Sequence, residues 1–243
     1  MGNKKKKYAG NSARKNRRKF NKNSMVGRVS IAEFQENLNF KWVFSGLVIA
    51  FLFYWFCFSA MNANFVLVLG MGSILLALCA VWAGGGLPLF WHNIGNTNIW
   101  VGVGSSVVLY IIFVILSFFM QSNFAFVSAE MSAIYALVEG HGSFLLGGTL
   151  LIIAGPCLEL FWRGLVQGWA EKVMGRLGAV FFTTLCYTAV FALTMNKTLM
   201  LTALVCGLYW GFLYFWRRSL AACVFSHSLW LLAILVIYPL VIL

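Results

Sequence analysis

The chain of 243 residues is 61% hydrophobic and only 10% charged, yet its formal net charge is +12. Soluble domains are closer to half apolar and a quarter charged, so this composition excludes a soluble globular protein. We predict an all-α fold, a polytopic membrane helix bundle of about seven transmembrane helices.

Residues 1–40 form a basic and polar tail. Twelve of the eighteen lysines and arginines fall within residues 1–41. Such a segment buries little apolar surface, so we predict a mostly disordered cytoplasmic tail with a short amphipathic helix over residues 29–40. Its charge favours attraction to anionic lipid; a topology signal and binding of RNA or ribosomes are alternatives, and no specific nucleic-acid site is predicted.

Residues 41–243 are predicted to form a single transmembrane helical domain in contact with membrane lipid. A bilayer core needs about 20 apolar residues per helix. The predicted spans are residues 42–61, 64–83, 98–121, 144–170, 178–195, 198–216 and 219–242. Loss of a weaker segment would leave six spans. A Gly-rich loop is predicted at 84–97, and a half-exposed helix along the outer surface at 122–143.

Basic residues between the spans predict the orientation of the bundle. If the tail is cytoplasmic, seven spans place Lys172, Arg176, Arg217 and Arg218 inside and only Lys197 outside. Lysine and arginine are enriched in cytoplasmic loops. We therefore predict a multi-pass protein of the cell membrane with a cytoplasmic N-terminus and an external C-terminus.

The six cysteines lie singly inside apolar segments, and none forms a Cys-x-x-Cys pair. Cysteines placed in this way are typical of small packing residues rather than disulfides or metal ligands. The apolar segments offer no converging set of histidines and carboxylates, so we predict no metal site and no cofactor.

A carboxylate and a guanidinium lie four residues apart inside the fourth predicted span. An ionised side chain at the centre of a membrane helix costs at least about 2.5–3.5 kcal/mol, so such residues are candidates for function. The spacing puts Glu159 and Arg163 on one helix face, one turn apart, where the two can pair.

His227 is predicted to lie at the same depth as Glu159. Glu159 precedes Lys172 by thirteen residues, or about 20 Å of helix, and His227 follows Arg218 by nine, or about 14 Å. The two side chains could therefore share a polar cavity. The alternative is that His227 only hydrogen-bonds a neighbouring serine or a backbone carbonyl.

Two blocks of residues resemble motifs of a protease family. The run Glu159-Leu160-Phe161-Trp162-Arg163-Gly164 resembles the first motif, Glu-Glu-x-x-x-Arg, of the CPBP family of intramembrane proteases, also called the CAAX protease or ABI (abortive infection) family. The Gly-rich run 207–214 followed by Ser226-His227-Ser228 resembles the third region, which ends in His-x-x-x-Asn or Asp. The resemblance covers residues 144–235 and implies a CAAX-protease-like core.

This chain departs from the family pattern at three positions. Leu158 occupies the place of the first glutamate, and Leu231 stands where Asn or Asp is expected. The second-motif histidine would align with Phe191 or Met195, depending on register. In the family these polar residues surround a cytosol-facing cavity, where a glutamate and a histidine activate water to attack a peptide bond.

The resemblance makes Glu159, Arg163 and His227 the candidate catalytic residues, with a purely structural role as the alternative. We interpret the chain as a catalytically degenerate, bacterial-type intramembrane endopeptidase homologue. It would act on a membrane peptide or protein partner, in peptide handling or bacteriocin self-protection. The alternatives are an active endopeptidase that uses Glu159 and His227, and a small transporter. The shared expectation is that Glu159 lies within salt-bridge distance of Arg163 and close to the His227 ring.

Overall fold

The computed structural model describes residues 28–59, 64–88 and 95–240. These residues are overwhelmingly helical, and the predicted all-α membrane bundle is confirmed. Within the described ranges the sheet consists of two-residue strands, β1 (Arg28–Val29) and β2 (Leu87–Pro88), which pair in parallel. The prediction of disorder in the tail concerns residues that lie almost entirely outside the described part of the chain.

In the N-terminal half, the described residues form five helices. They are α1 (Ile31–Asn37), α2 (Phe40–Ser59), α3 (Phe65–Gly84), α4 (Asn96–Asn123) and α5 (Ala125–Ala136). The short helix α1 corresponds to the one predicted near residues 29–40. Its Phe34 is buried, and the Ser30 hydroxyl accepts the N–H of Glu33 as an N-cap. Helix α5 lies in the segment where a half-exposed helix is predicted, and it buries Val127 and Met131.

The second half alternates between α-helical and π-helical segments. The α-helices are α6 (Ser143–Gly148), α7 (Gly155–Glu159), α8 (Gly168–Ala189), α9 (Lys197–Arg217) and α10 (Leu220–Leu232). The π-helical segments are Thr149–Ala154, Leu160–Gln167 and Ala233–Ile237, and a 3₁₀ turn covers Ala192–Thr194. Single π-helical turns inside α-helices occur frequently at functional sites. One of these segments begins directly after Glu159, and another ends at Ala154, just before the short α-helix that Glu159 closes.

Six helical stretches among the described residues are long and apolar enough to span a membrane, against about seven predicted. The difference lies in Ser143–Thr194, a stretch of 52 residues that includes the fourth and fifth predicted spans. Its backbone leaves the helical region at Gly175, where φ is 74° and ψ is 173°. Glycine tolerates this conformation because it has no Cβ.

Contacts with α9 show that the chain reverses its direction at Gly175. Before this point, Arg163 and Gln167 donate to the carbonyl oxygens of Gly207 and Gly211, so this segment runs parallel to α9. After it, Thr184 lies against Gly207 and Val180 against Gly211, so the second part of α8 runs antiparallel to α9. The 52-residue stretch is therefore a helical hairpin with two arms.

Candidate active site

Glu159 ends α7, at the point where the chain enters the π-helical segment Leu160–Gln167. One turn on, the Arg163 Nε lies 3.5 Å from the Glu159 Oε2, and both side chains are 0% exposed. The pairing that four-residue spacing predicts is therefore present in the interior of the bundle. A buried carboxylate needs such a partner, because an uncompensated charge in the interior is strongly destabilising.

The His227 ring approaches the same carboxylate from α10. Its Nδ1 lies 2.7 Å from the Glu159 Oε1, and the side chain is 2% exposed. An ionised carboxylate can only accept hydrogen bonds, so the histidine Nδ1 carries the proton and donates it. Each oxygen of Glu159 thus faces its own partner, and the three predicted residues converge. Their assignment as catalytic residues stays a prediction.

A glycine permits this close approach of α7 to α10. A Cβ added at Gly155 would lie only 2.9 Å from the Ser228 Cα, which is closer than side chains normally come to a neighbouring backbone. Gly155 lies one turn before Glu159, and Ser228 follows His227 directly. The two helix backbones therefore meet beside the hydrogen bond, and the missing side chain of Gly155 keeps the bond short.

A tryptophan that sequence analysis did not single out packs against a face of the His227 ring. The Trp210 ring stacks on the His227 ring, with centroids 3.7 Å apart. The Trp210 Nε1 donates to the Ser226 Oγ at 3.1 Å, and this oxygen lies 3.0 Å from the Ser105 Oγ. The alternative in which His227 bonds a neighbouring serine is not what the structure shows, because Ser226 serves Trp210 instead.

Glu159 is the first member of a buried row, the polar seam, formed by Glu159, Arg163 and Gln167. The Arg163 Nη2 donates to the carbonyl oxygen of Gly207, and the Gln167 Nε2 to that of Gly211, each at 3.2 Å. All three side chains are fully buried. Gln167 was missed in the sequence, although it continues the four-residue spacing that brought the other two to attention.

On the opposite side of His227 lies the apolar cavity, with a volume of about 270 Å³. Beside the site it is lined by Tyr54, Leu158, Tyr187, Phe191, His227 and Leu231. Leu158 and Leu231, two of the departures from the family pattern, thus line one space. Of the two candidate positions for the second-motif histidine, Phe191 lines the cavity, whereas Met195 is 82% exposed and does not.

The cavity reaches the protein surface at one end of the bundle. Its lining includes the exposed Lys197 at the start of α9, but no residue of α9 beyond Cys206. Arg217, at the other end of α9, lies about 30 Å away at helical rise. The predicted orientation puts Lys197 outside, so it is incompatible with the cytosol-facing cavity that the family resemblance implies.

The geometry gives His227 the position of a base. Glu159 holds Nδ1 from behind, which leaves Nε2 as the ring nitrogen available to a molecule in the cavity. A carboxylate that orients an imidazole is the arrangement of many hydrolytic sites. Beside it, Leu158, Phe191 and Leu231 line the cavity with hydrocarbon side chains, which can neither activate water nor stabilise an oxyanion.

The described residues contain no group of three or more histidine, cysteine or acidic side chains that could hold a metal ion. All six cysteines are free thiols.

Comparison with known proteins identifies the region around the site. A family model described as Rce1-like, type II CAAX prenyl endopeptidase Rce1-like, matches residues 140–233. Neither the curated proteins nor the solved structures give a match. The family match confirms the resemblance drawn from the two motifs, and its bounds agree closely with the predicted 144–235. The chain is a multi-pass membrane protein whose residues 140–233 match the Rce1-like model of type II CAAX prenyl endopeptidases.

Proposed function

We propose that this protein is a catalytically degenerate CAAX-protease-like membrane protein that holds an apolar peptide without cleaving it. The observation that carries the proposal is the wall of the apolar cavity. Leu158, Phe191 and Leu231 stand at the positions where the family motifs have polar residues, and all three face the cavity beside His227. These side chains favour an apolar occupant and exclude the water that hydrolysis needs.

Magnitudes support a non-hydrolytic site. The loss of one oxyanion donor lowers the rate of related reactions about 100- to 1,000-fold, and this site differs from the family pattern at three positions. Residues that act as a unit are not additive, so the factors cannot be multiplied. The retained Glu159 and Arg163 pair with each other inside the polar seam, a role that requires no turnover.

The position of the cavity mouth favours a ligand that arrives from outside the cell. Lys197 marks this mouth and lies on the side that the positive-inside rule predicts to be external. Capture of an external membrane-active peptide is the role expected in bacteriocin self-protection. Handling of a membrane peptide of the cell itself is the broader form of the same proposal.

The hydrogen bond between Glu159 and His227 favours a second candidate, an active endopeptidase with a reduced site. The two are distinguished with purified protein in lipid vesicles and a membrane peptide that carries a fluorophore and a quencher. We expect no cleavage above that in protein-free vesicles. Cleavage that is lost in a folded His227→Ala variant would contradict the proposal that the protein does not hydrolyse peptides. Gel filtration establishes that the variant is folded.

The orientation is tested on intact cells with a membrane-impermeant thiol reagent. Lys197→Cys and Arg176→Cys place exposed thiols at the two ends of the bundle, and the unchanged chain controls for its own cysteines. We expect labelling at position 197 and none at position 176. The reverse pattern would place the cavity mouth on the cytoplasmic side.

Attraction of the basic tail to anionic lipid is a further part of the proposal. The expected result is stronger binding of a peptide of residues 1–28 to vesicles that contain phosphatidylserine than to neutral vesicles, with a loss of binding at high salt. Equal binding to both vesicle types would restrict the tail to a topology signal.

A further inference from the structure

The segment that follows the last helical residue turns back over the cavity. This C-terminal strap, Tyr238–Leu240, comes directly after the π-helical segment Ala233–Ile237. The Leu240 N–H donates to the Tyr135 hydroxyl at 2.9 Å, and the Leu240 carbonyl oxygen accepts from the Gln121 Nε2 at 3.2 Å. Both main-chain groups of one residue are therefore bound by side chains of other helices.

Two more contacts fasten the strap. The Tyr110 hydroxyl donates to the Tyr238 carbonyl oxygen at 3.1 Å. The Tyr135 hydroxyl, which accepts from Leu240, donates in turn to the Ile234 carbonyl oxygen at 3.0 Å. Tyr110 and Gln121 both belong to α4, whereas Tyr135 belongs to α5, so side chains of two helices hydrogen-bond to the strap.

The strap places one aliphatic side chain in the cavity. Leu240 is buried and belongs to the cavity lining, whereas Tyr238 and Pro239 are exposed. Tyr238 and Leu240 are two positions apart and differ in exposure, so the strap does not alternate like a regular β-strand, and only Leu240 presents its side chain to the pocket. The arrangement at Leu240 combines main-chain hydrogen bonds with an apolar pocket, which is how extended peptides are recognised.

We infer that the mouth of the apolar cavity is a binding site for the main chain of an extended apolar peptide, and that the C-terminal strap is its internal occupant. The inference rests on the proposed function and adds its ligand geometry and its regulation. Tyr110, Gln121 and Tyr135 contact main-chain atoms, so they serve any sequence whose aliphatic side chain fits the place of Leu240.

The strap competes with any peptide that enters from solution. A tethered segment acts at an effective concentration in the millimolar range, so an external peptide binds the full chain weakly until the strap is released. Release is local, because a short irregular segment held by a few hydrogen bonds opens without unfolding the bundle.

The test uses a fluorescent synthetic peptide, Tyr-Pro-Leu-Val-Ile-Leu, which repeats residues 238–243. Its binding is followed by fluorescence anisotropy with protein in lipid nanodiscs. A chain that ends at Ile237 should bind the peptide at least about tenfold more tightly than the full chain does, because the tethered competitor is gone. The matched control peptide is methylated on the leucine nitrogen that corresponds to Leu240, and we expect it to bind poorly.

A second variant keeps the test decisive if the truncated chain does not fold. Leu240→Asp in the full chain expels the strap from the apolar cavity and leaves the site intact, so it should also bind the peptide. Adding Gln121→Ala to this variant should weaken the binding again. Absence of binding to a folded strap-released variant, or equal binding of the methylated peptide, would overturn the inference.

Mass spectrometry of the recovered peptide separates this inference from the proposed function. Cleavage of the bound peptide would contradict the non-hydrolytic proposal and leave the binding site intact. An intact peptide that does not bind would contradict the site and leave the absence of hydrolysis untouched.

Discussion

The two sides of the His227 ring differ in polarity. Behind the ring, in the polar seam, Glu159, Arg163 and Gln167 remain polar, and each contacts the other members or a backbone carbonyl. In front of it, the apolar cavity is lined by the hydrocarbon side chains of Leu158, Phe191 and Leu231. Polar side chains thus lie where they have partners inside the protein, and hydrocarbon side chains line the open space.

This difference separates the residues that stabilise the fold, in the polar seam, from the residues that would contact a substrate, in the cavity wall. A buried ion pair costs desolvation to build, but removing one partner alone is far more harmful than never having had the pair. Replacing a single charged residue of the seam should therefore destabilise the protein strongly. A side chain that faces a cavity leaves no charged partner behind when it changes, so the chemistry can be lost while the fold persists.

The largest effect should come from Glu159→Gln, which leaves the Arg163 guanidinium buried without a counter-charge. We expect a loss of about 3–5 kcal/mol in the free energy of unfolding, measured by denaturation in detergent. The double variant Glu159→Gln/Arg163→Met should lose less than the single variant, because no unpaired charge remains. A double variant that is less stable than the single one would contradict the pairing.

Gly155→Ala should have the next largest effect, because the new Cβ meets the Ser228 backbone. Overpacking of this kind costs about 1–3 kcal/mol. The control is Gly148→Ala in the same helical stretch, since nothing lies within 4 Å of a Cβ added there. Thermal unfolding of both variants checks the prediction, and an equal response would mean that the approach of α7 to α10 does not limit packing.

On the cavity side, Leu231→Asn should cost only about 1–2 kcal/mol, because it places an unpaired amide beside an open space rather than breaking a pair. Leu231→Met keeps the wall apolar and should cost less than about 1.5 kcal/mol. If Leu231→Asn destabilises the protein as much as Glu159→Gln does in the same unfolding assay, the cavity side and the polar seam do not differ in their tolerance of substitution.

The smallest effect concerns Glu130, which caps the start of α9 outside the membrane spans. The Thr198 N–H and hydroxyl both donate to the Glu130 Oε2 at 2.7 Å. Partial burial acts to raise the pKa of Glu130, but these hydrogen bonds outweigh it and hold the pKa below its usual value. A lowered pKa means that the stabilisation is present above the pKa of the unfolded state and is lost as the pH falls through the folded one.

We therefore expect a small fall in Tm, less than about 2 °C, when the pH is lowered through the titration of Glu130. Scanning calorimetry of the unchanged protein and of Glu130→Gln measures it. The variant should lose this part of the pH dependence. A dependence that persists unchanged in the variant would assign it to another group.

Much of the fold could be predicted from the sequence because hydropathy and charge act locally. Runs of about 20 apolar residues identify the spans without knowledge of their neighbours. The break near residue 175 is visible as a polar interruption, but the reversal there depends on the positive φ of Gly175 and on contacts with α9. The helical assignment of Ser143–Thr194 as one stretch shows why counting spans by length alone gives six rather than seven.

The candidate site divides in the same way. Glu159 and Arg163 could be found because charges are rare in an apolar span and four-residue spacing is a helical neighbour relation. Trp210 was missed because an aromatic residue in an apolar helix carries no comparable signal. Gln167 was missed because it is uncharged, and its only signal is the four-residue spacing from Arg163. Ser105 and Ser226 are 121 positions apart, and no local pattern joins them.

The sequence by itself determined a membrane bundle, a buried acid with its cation one turn away, and an imidazole at matching depth. Only the tertiary structure decided that the imidazole lies 2.7 Å from the acid, that Phe191 rather than Met195 faces the cavity, and which end of the bundle the cavity opens toward. The reason is physical: depth follows from rise along each helix, whereas contact depends on how helices rotate and how closely their backbones pack, and a single glycine such as Gly155 sets that distance.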